Sequence, residues 1–186
     1  MLTNSGTALL NPVKIFDSIN LHAGMRVADL GCGRTGHLVF PASKIIGDTG
    51  IVYALDIQKE IVEELKSRIR SGGLHNIEMV WSDLENASSL RIAPSSLDAC
   101  WLVSVIHQIK DRFGVLKNAA ALLRPEGFLA VVDWSKKLGA FGPEENKMVL
   151  PEVLVENAEK LGLTNYAQFP INDYQYCIIF KKGKSL

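Results

Sequence analysis

A chain of 186 residues is long enough for one well-buried domain, and its 20 basic and 20 acidic side chains leave no net charge to draw it to nucleic acid or anionic lipid. Three cysteines and four histidines are scattered, with no C-x-x-C pair or mixed cluster, which argues against a disulfide framework and against a metal centre. No apolar run approaches the roughly 20 residues that span a bilayer. The opening residues also lack a charged segment followed by an apolar one, so a cytoplasmic protein without a secretion signal is expected.

Along the chain the apolar period alternates between helix and strand. NPVKIFDSIN reads as a helix with Asn11 as N-cap and Pro12 at its first position, burying Ile15, Phe16 and Ile19. MRVADL is a buried strand, HLVFPASKIIG a helix with Pro41 near its start, and IVYALD a second strand. QKEIVEELKSRIRSGG is the plainest helix, with Ile61, Val62, Leu65 and Ile69 in one stripe. Glu64 and Arg68 there are spaced to pair, and Gly72 stands at the stop. IEMVW is the next strand, then comes a loop, and SLDACWLVSV is a longer apolar strand. Leu116, Ala119, Ala120 and Leu123 then mark a helix, and FLAVVDW a fifth strand. KKLGAFGPEENKM is a loop and PEVLVENAEKLG a helix. LTNYAQFPI and YQYCIIFKK form a hairpin through Asn172 and Asp173, and the KKGK run at Lys181 to Lys184 reads as a solvated end. Five β-α units and a terminal hairpin predict an α/β fold: a doubly wound, seven-stranded, mostly parallel sheet with an antiparallel C-terminal hairpin, in one domain over residues 1–186.

The chemistry starts at VADLGCGRTGHL, where Gly31, Gly33 and Gly36 spell G-x-G-x-x-G between a strand and a helix. Glycines there permit left-handed backbone and let a ligand touch the main chain. The spelling suggests a dinucleotide, but Asp29 stands just before it. A carboxylate at that strand end repels a pyrophosphate and suits a cationic ammonium or sulfonium group; alternatively it caps the loop's own N–H groups. Asp56 ends the second strand twenty residues after Gly36, the spacing of a ribose-binding acid, and it can also cap the helix that follows. Ile57 beside it can cover one face of a base. Asp83 and Leu84, after the third strand, offer a carboxylate for an exocyclic amine and an aliphatic wall for the ring.

In these residues the sequence resembles the class I S-adenosylmethionine-dependent methyltransferases. VADLGCG resembles the family's first motif, YALDI its ribose-binding motif and WSDLE its adenine motif. LDACWLVSVIHQI resembles the fourth-strand motif, and LLRPEGFLAVVDW the segment after it. Within the family the chain is most similar to small members akin to quinone-biosynthesis methyltransferases. The resemblance implies a Rossmann-like fold and S-adenosylmethionine as cofactor. It implies Asp29 near the methionine ammonium, with Gly31, Cys32, Gly33 and Gly36 in the loop around the methionyl and ribose portions. Asp56 and Ile57 would then meet the ribose and base, Asp83 and Leu84 the adenine, and Val103 and Ser104 the methionine tail and substrate mouth. One departure is plain: the family's loop reads G-x-G-x-G, and here both Arg34 and Thr35 separate Gly33 from Gly36. Arg34 is accordingly expected to face solvent or the ligand's carboxylate.

Methyl transfer from a sulfonium needs a base only where the attacking atom carries a proton. His107, just past the fourth strand, and Asp133, ending the fifth, are the candidate catalytic residues. Their plain alternatives are a helix start and a loop cap. The N-terminal helix and the loop from Lys136 to Lys147 are expected around the acceptor, with Trp134, Phe141 and Met148 as apolar lining. A small-molecule acceptor is expected, with nucleic acid or protein left open and a homodimer possible. Two other classes stay in view: an S-adenosylmethionine-binding partner or sensor without turnover, and a nicotinamide-dependent oxidoreductase.

Overall fold

The computed structural model describes residues 10–139 and 141–184; residue 140 of the expected acceptor loop and both ends of the expected domain lie outside the described residues. The elements run α1 (Pro12–Ser18), β1 (Arg26–Leu30), α2 (Val39–Ile46), β2 (Ile51–Asp56), α3 (Lys59–Ser71), β3 (Ile77–Trp81) and β4 (Leu97–Val103). They continue with α4 (Arg112–Leu122), β5 (Leu123–Trp134), α5 (Pro151–Glu159), β6 (Leu163–Pro170) and β7 (Gln175–Lys182). The Asn11 carboxamide accepts the Val13 N–H at 3.0 Å, so α1 starts on a side-chain cap with proline where no amide partner is needed. Asp111 does the same for α4, accepting the Gly114 N–H at 2.8 Å.

One sheet contains all seven strands in the order β3-β2-β1-β4-β5-β7-β6. The first five strands pair in parallel, and β7 runs antiparallel to both β5 and β6. Two apolar layers cover the faces, one around Leu55, Leu102, Val131 and Phe180, the other around Val27, Trp101, Val132 and Ile179. Alternation along each strand divides the residues between them, since successive side chains point to opposite faces.

Two sequence expectations change. The crossover from β3 to β4 carries only a 3-10 turn at Ala87–Ser89 and no α-helix, so four of the five β-α units are complete. Leu123, spaced to extend the α4 stripe, opens β5 instead, with extended backbone. Pro125 two residues on disfavours helix before it. A turn through Glu126 (φ +66°) then shifts the register between Leu97↔Leu123 and Ala99↔Phe128. No helix among the described residues is long and apolar enough to cross a membrane.

Candidate functional site

In an open parallel sheet the crevice beyond the carboxyl ends of the strands is the place for ligands, where the strand order reverses. Here that reversal falls between β1 and β4. Asp29 is the penultimate residue of β1, Asp56 the last of β2, Val103 the last of β4 and Asp133 the penultimate of β5. The groups singled out in the sequence therefore share one rim. A cavity of about 380 Å³ opens elsewhere, along the edge strand β3 beside Lys59, Lys66, Trp81 and Arg91, and none of the candidate residues lines it.

The glycine loop leaves β1 in left-handed backbone, at φ +93° for Gly31 and +63° for Gly33. A side chain on Gly31 would meet Val105, whose Cγ2 lies 2.6 Å from where a Cβ would stand. Around Gly33 nothing lies within 4 Å of such a position, so its backbone faces open space. Gly36 differs: it is buried, and a Cβ there would sit 2.8 Å from the Phe40 ring, so its bareness serves packing against α2. Leu55 O accepts the N–H groups of both Gly31 and Cys32 at 2.9 Å. Asp56 holds the loop from the other side. Its Oδ2 accepts the Gly33 N–H at 3.0 Å and its Oδ1 the Gln58 N–H at 2.9 Å, just ahead of α3.

The two residues that lengthen the loop are tied outward to α3. Arg34 pairs with Glu64, and Arg68 Nη1 donates to the carbonyls of Arg34 and Thr35 at 3.2 and 3.1 Å. The Arg68 guanidinium also lies over the Phe40 ring, 4.5 Å from its centroid. The Glu64–Arg68 pair suggested by helical spacing is thus replaced by three contacts to the loop. A partly exposed partner offering a carboxylate or carbonyl across the chain competes readily with an i,i+4 pair worth only ~0.3–0.5 kcal/mol. Arg34 faces solvent and α3.

Asp29 is buried, and desolvation raises its carboxyl from 3.8 to about 7, with the Asp56 charge adding to the rise. Trp101, its register partner on β4, acts in the opposite direction, although its indole Nε1 has no partner in hydrogen-bond geometry among the described residues. Burial and the same two acids also push the Cys32 thiol up. Ile57 is exposed at the rim, and its carbonyl accepts the Trp81 indole N–H at 2.9 Å. Asp83 closes a short turn by accepting the Glu85 N–H at 3.0 Å, while Leu84 is buried beneath it.

Beyond β4 the structure joins two residues that the sequence could only name separately. His107 Nδ1 stands 2.7 Å from Asp133 Oδ1, and the His107 N–H reaches Asp133 Oδ2 at 3.1 Å. Asp133 is fully buried and also accepts the Trp134 N–H at 2.8 Å. A carboxylate can only accept, so the His107 ring donates to Asp133 from Nδ1. Two residues before the 3-10 turn that carries His107, Ser104 is buried in left-handed backbone at φ +56°. Its Oγ accepts from Gln175 Nε2 at 2.9 Å and its carbonyl from Gln108 Nε2 at 2.8 Å. Gln175, fully buried at the start of β7, had only one signal in the sequence, a polar residue opening an apolar strand.

Of the expected apolar lining, Trp134 is itself buried, beneath Gly142 of the loop, whereas Phe141 is exposed and Met148 half-buried. Arg112 ties this loop to the His107 turn, donating to Ile106 O at 3.3 Å and to Lys147 O at 3.4 Å. α1 is tethered to the hairpin turn by Lys14 Nζ on Ile171 O at 3.0 Å.

Comparison with known proteins places this arrangement. Residues 21–168 match a family model described as a methyltransferase domain. The chain is 31% identical to the aklanonic acid methyltransferase DauC of Streptomyces sp. (strain C5), over 72% of this chain and 60% of that protein. It is 30% identical to the ubiquinone/menaquinone biosynthesis C-methyltransferase UbiE of Shewanella halifaxensis, over 64% of this chain and 47% of that one. It thus spans about half the length of the curated relatives it matches. Among solved structures, a SAM dependent methyltransferase from Aquifex aeolicus shares the fold at a TM-score of 0.83 with 24% identity, over 96% of this chain and 93% of that one.

Proposed function

We propose, from the premise that this chain belongs to the class I S-adenosylmethionine-dependent methyltransferases, that it moves a methyl group to a small-molecule acceptor whose attacking atom carries a proton. The crevice fits that family's cofactor. Gly33 offers bare backbone with nothing in front of it, a buried carboxyl stands at the end of β1, and a second acid frames the loop. Bound there, S-adenosylmethionine supplies a methyl group activated by positive sulfur.

Asp29 pairs with the methionine ammonium, gaining a cation where burial alone leaves it near neutrality. Asp56 accepts the ribose hydroxyls on the lone pairs that Gly33 and Gln58 do not use. Ile57, Asp83 and Leu84 border the adenine, and Val103 and Ser104 the methionine tail. These groups orient and desolvate the reacting centre, and in-line displacement with a good leaving group draws most of its acceleration from that positioning.

The observation that carries the reading is the His107–Asp133 pair at the acceptor end of the crevice. His107 Nε2 takes the acceptor's proton as the methyl group is transferred. Asp133 fixes the ring's tautomer and steadies the charge that develops on it. The names of DauC and UbiE both refer to small molecules, which supports an acceptor of that kind.

Calorimetry with S-adenosylmethionine, S-adenosylhomocysteine and NAD tests the cofactor: binding of NAD with neither sulfur nucleoside overturns it. A screen with labelled methyl donor over phenols, quinone precursors, RNA and peptides tests the acceptor. Label confined to RNA or peptide would refute the small-molecule reading.

A further inference from the structure

We infer that Gln175, on the antiparallel hairpin, is a positioning residue for the His107 base, acting through the left-handed backbone of Ser104. The inference rests on the reading of His107 as base.

Five contacts converge on the turn after β4. The Ser104 N–H continues the sheet onto Val132 O at 2.8 Å, and Gln175 Nε2 donates to Ser104 Oγ at 2.9 Å. Gln108 Nε2 donates to Ser104 O at 2.8 Å, and the Gln108 N–H to Val105 O at 2.9 Å. The fifth is the packing of Val105 against the bare face of Gly31. A residue with a Cβ occupies the left-handed region at a cost and stays there only when its surroundings demand it. Gln175 supplies that demand. It is fully buried, and its own backbone N–H and Oε1 are both taken up by Asn172, at 3.0 and 2.9 Å, which leaves its Nε2 aimed at Ser104.

The conformation matters for what comes next. Left-handed backbone at Ser104 ends β4 abruptly and turns the chain back, so that three residues later His107 presents both its backbone N–H and its ring to Asp133 on the neighbouring strand. Were Ser104 to relax to extended backbone, the 3-10 turn would swing away from β5 and the ring would lose its carboxylate.

Glycine adopts the left-handed angle without help, which gives the inference a sharp test needing neither cofactor nor acceptor. The Nδ1 proton of a histidine bonded to a buried carboxylate gives a downfield, slowly exchanging NMR resonance. Gln175→Met, nearly equal in volume but without the donor, should raise its exchange rate at least tenfold. Adding Ser104→Gly to that variant should restore the protection. Ser104→Ala, which keeps the Cβ and loses the acceptor, should behave like Gln175→Met, and Ser104→Gly alone like the parent protein. This last pair answers the question even where Gln175→Met does not fold. Unchanged protection in Gln175→Met, or equal behaviour of Ser104→Ala and Ser104→Gly, would overturn the inference. Failure of the chain to bind S-adenosylmethionine would overturn the reading of function and leave this measurement standing.

Discussion

The two halves of the crevice are built on different plans. On the β1–β3 side the candidate groups come from three short contiguous stretches, each a strand end with its following turn, held largely by backbone hydrogen bonds within and between those turns. On the β4–β7 side no stretch is sufficient alone. Ser104, His107, Asp133 and Gln175 come from three strands' ends and meet through side chains, with Ser104 and Gln175 71 positions apart. The first plan suits a cofactor of constant shape, because main-chain geometry is insensitive to which side chains surround it. The second suits an acceptor, because side chains on separate elements can be exchanged without disturbing the loop.

If the division is real, substitutions should fall into two classes that do not mix. The largest effect is expected at His107. His107→Ala should lower turnover by about 10²–10⁴, the usual worth of a positioned base, while S-adenosylmethionine affinity by calorimetry stays within twofold. A matching loss of cofactor affinity would merge the two halves. Next, Asp56→Ala should weaken the cofactor at least tenfold, since it removes charge-assisted hydrogen bonds and also frees Gly33 and Gln58. An unchanged affinity would take Asp56 out of the site.

Asp29 sharpens the contrast further, because its burial sets stability against binding. Its carboxyl has a higher pKa folded, about 7, than unfolded, 3.8, so the folded chain holds an extra proton across that window. Stability of the free protein should therefore fall as pH rises from about 4 to 7, and the penalty should be full above that. Asp29→Asn removes it and should raise the melting temperature at pH 8 by roughly 5 °C. The same change should weaken the cofactor about tenfold, by trading an ion pair for a neutral contact. For the parent protein, affinity should strengthen as pH rises through 7, when the carboxylate that the ammonium prefers is already formed. Affinity flat from pH 5.5 to 8.5 would separate Asp29 from the ligand. The smallest effect is expected from Arg68→Ala. Loosening the Arg34–Thr35 backbone should cost about threefold in cofactor affinity with turnover at saturating cofactor unchanged. A turnover defect there would show that the loop reaches across to the acceptor side.

The contrast between the halves also explains what could be read in advance. Periodicity located every strand, because a buried parallel strand is a local apolar run with turns around it. Strand-end acids were visible for the same reason. Asp29 and Asp56 follow apolar residues directly, Asp83 stands two residues past the end of its strand, and the loop between β1 and α2 carries its backbone requirement in its glycines. Even there, local reading overreached: it paired Glu64 with Arg68, when the lengthened loop claims both.

The sequence by itself determined the fold class, the rim on which the acids stand and the family, all consequences of patterns a few residues long. Tertiary structure alone decided three things: that His107 and Asp133 form one unit, that Gln175 holds Ser104 in an angle a serine resists, and that Arg34 turns from the crevice toward α3. The reason lies in geometry. A hydrogen bond between side chains 26 or 71 residues apart depends on strand order and register. Those are properties of the packed sheet, and no local window contains them.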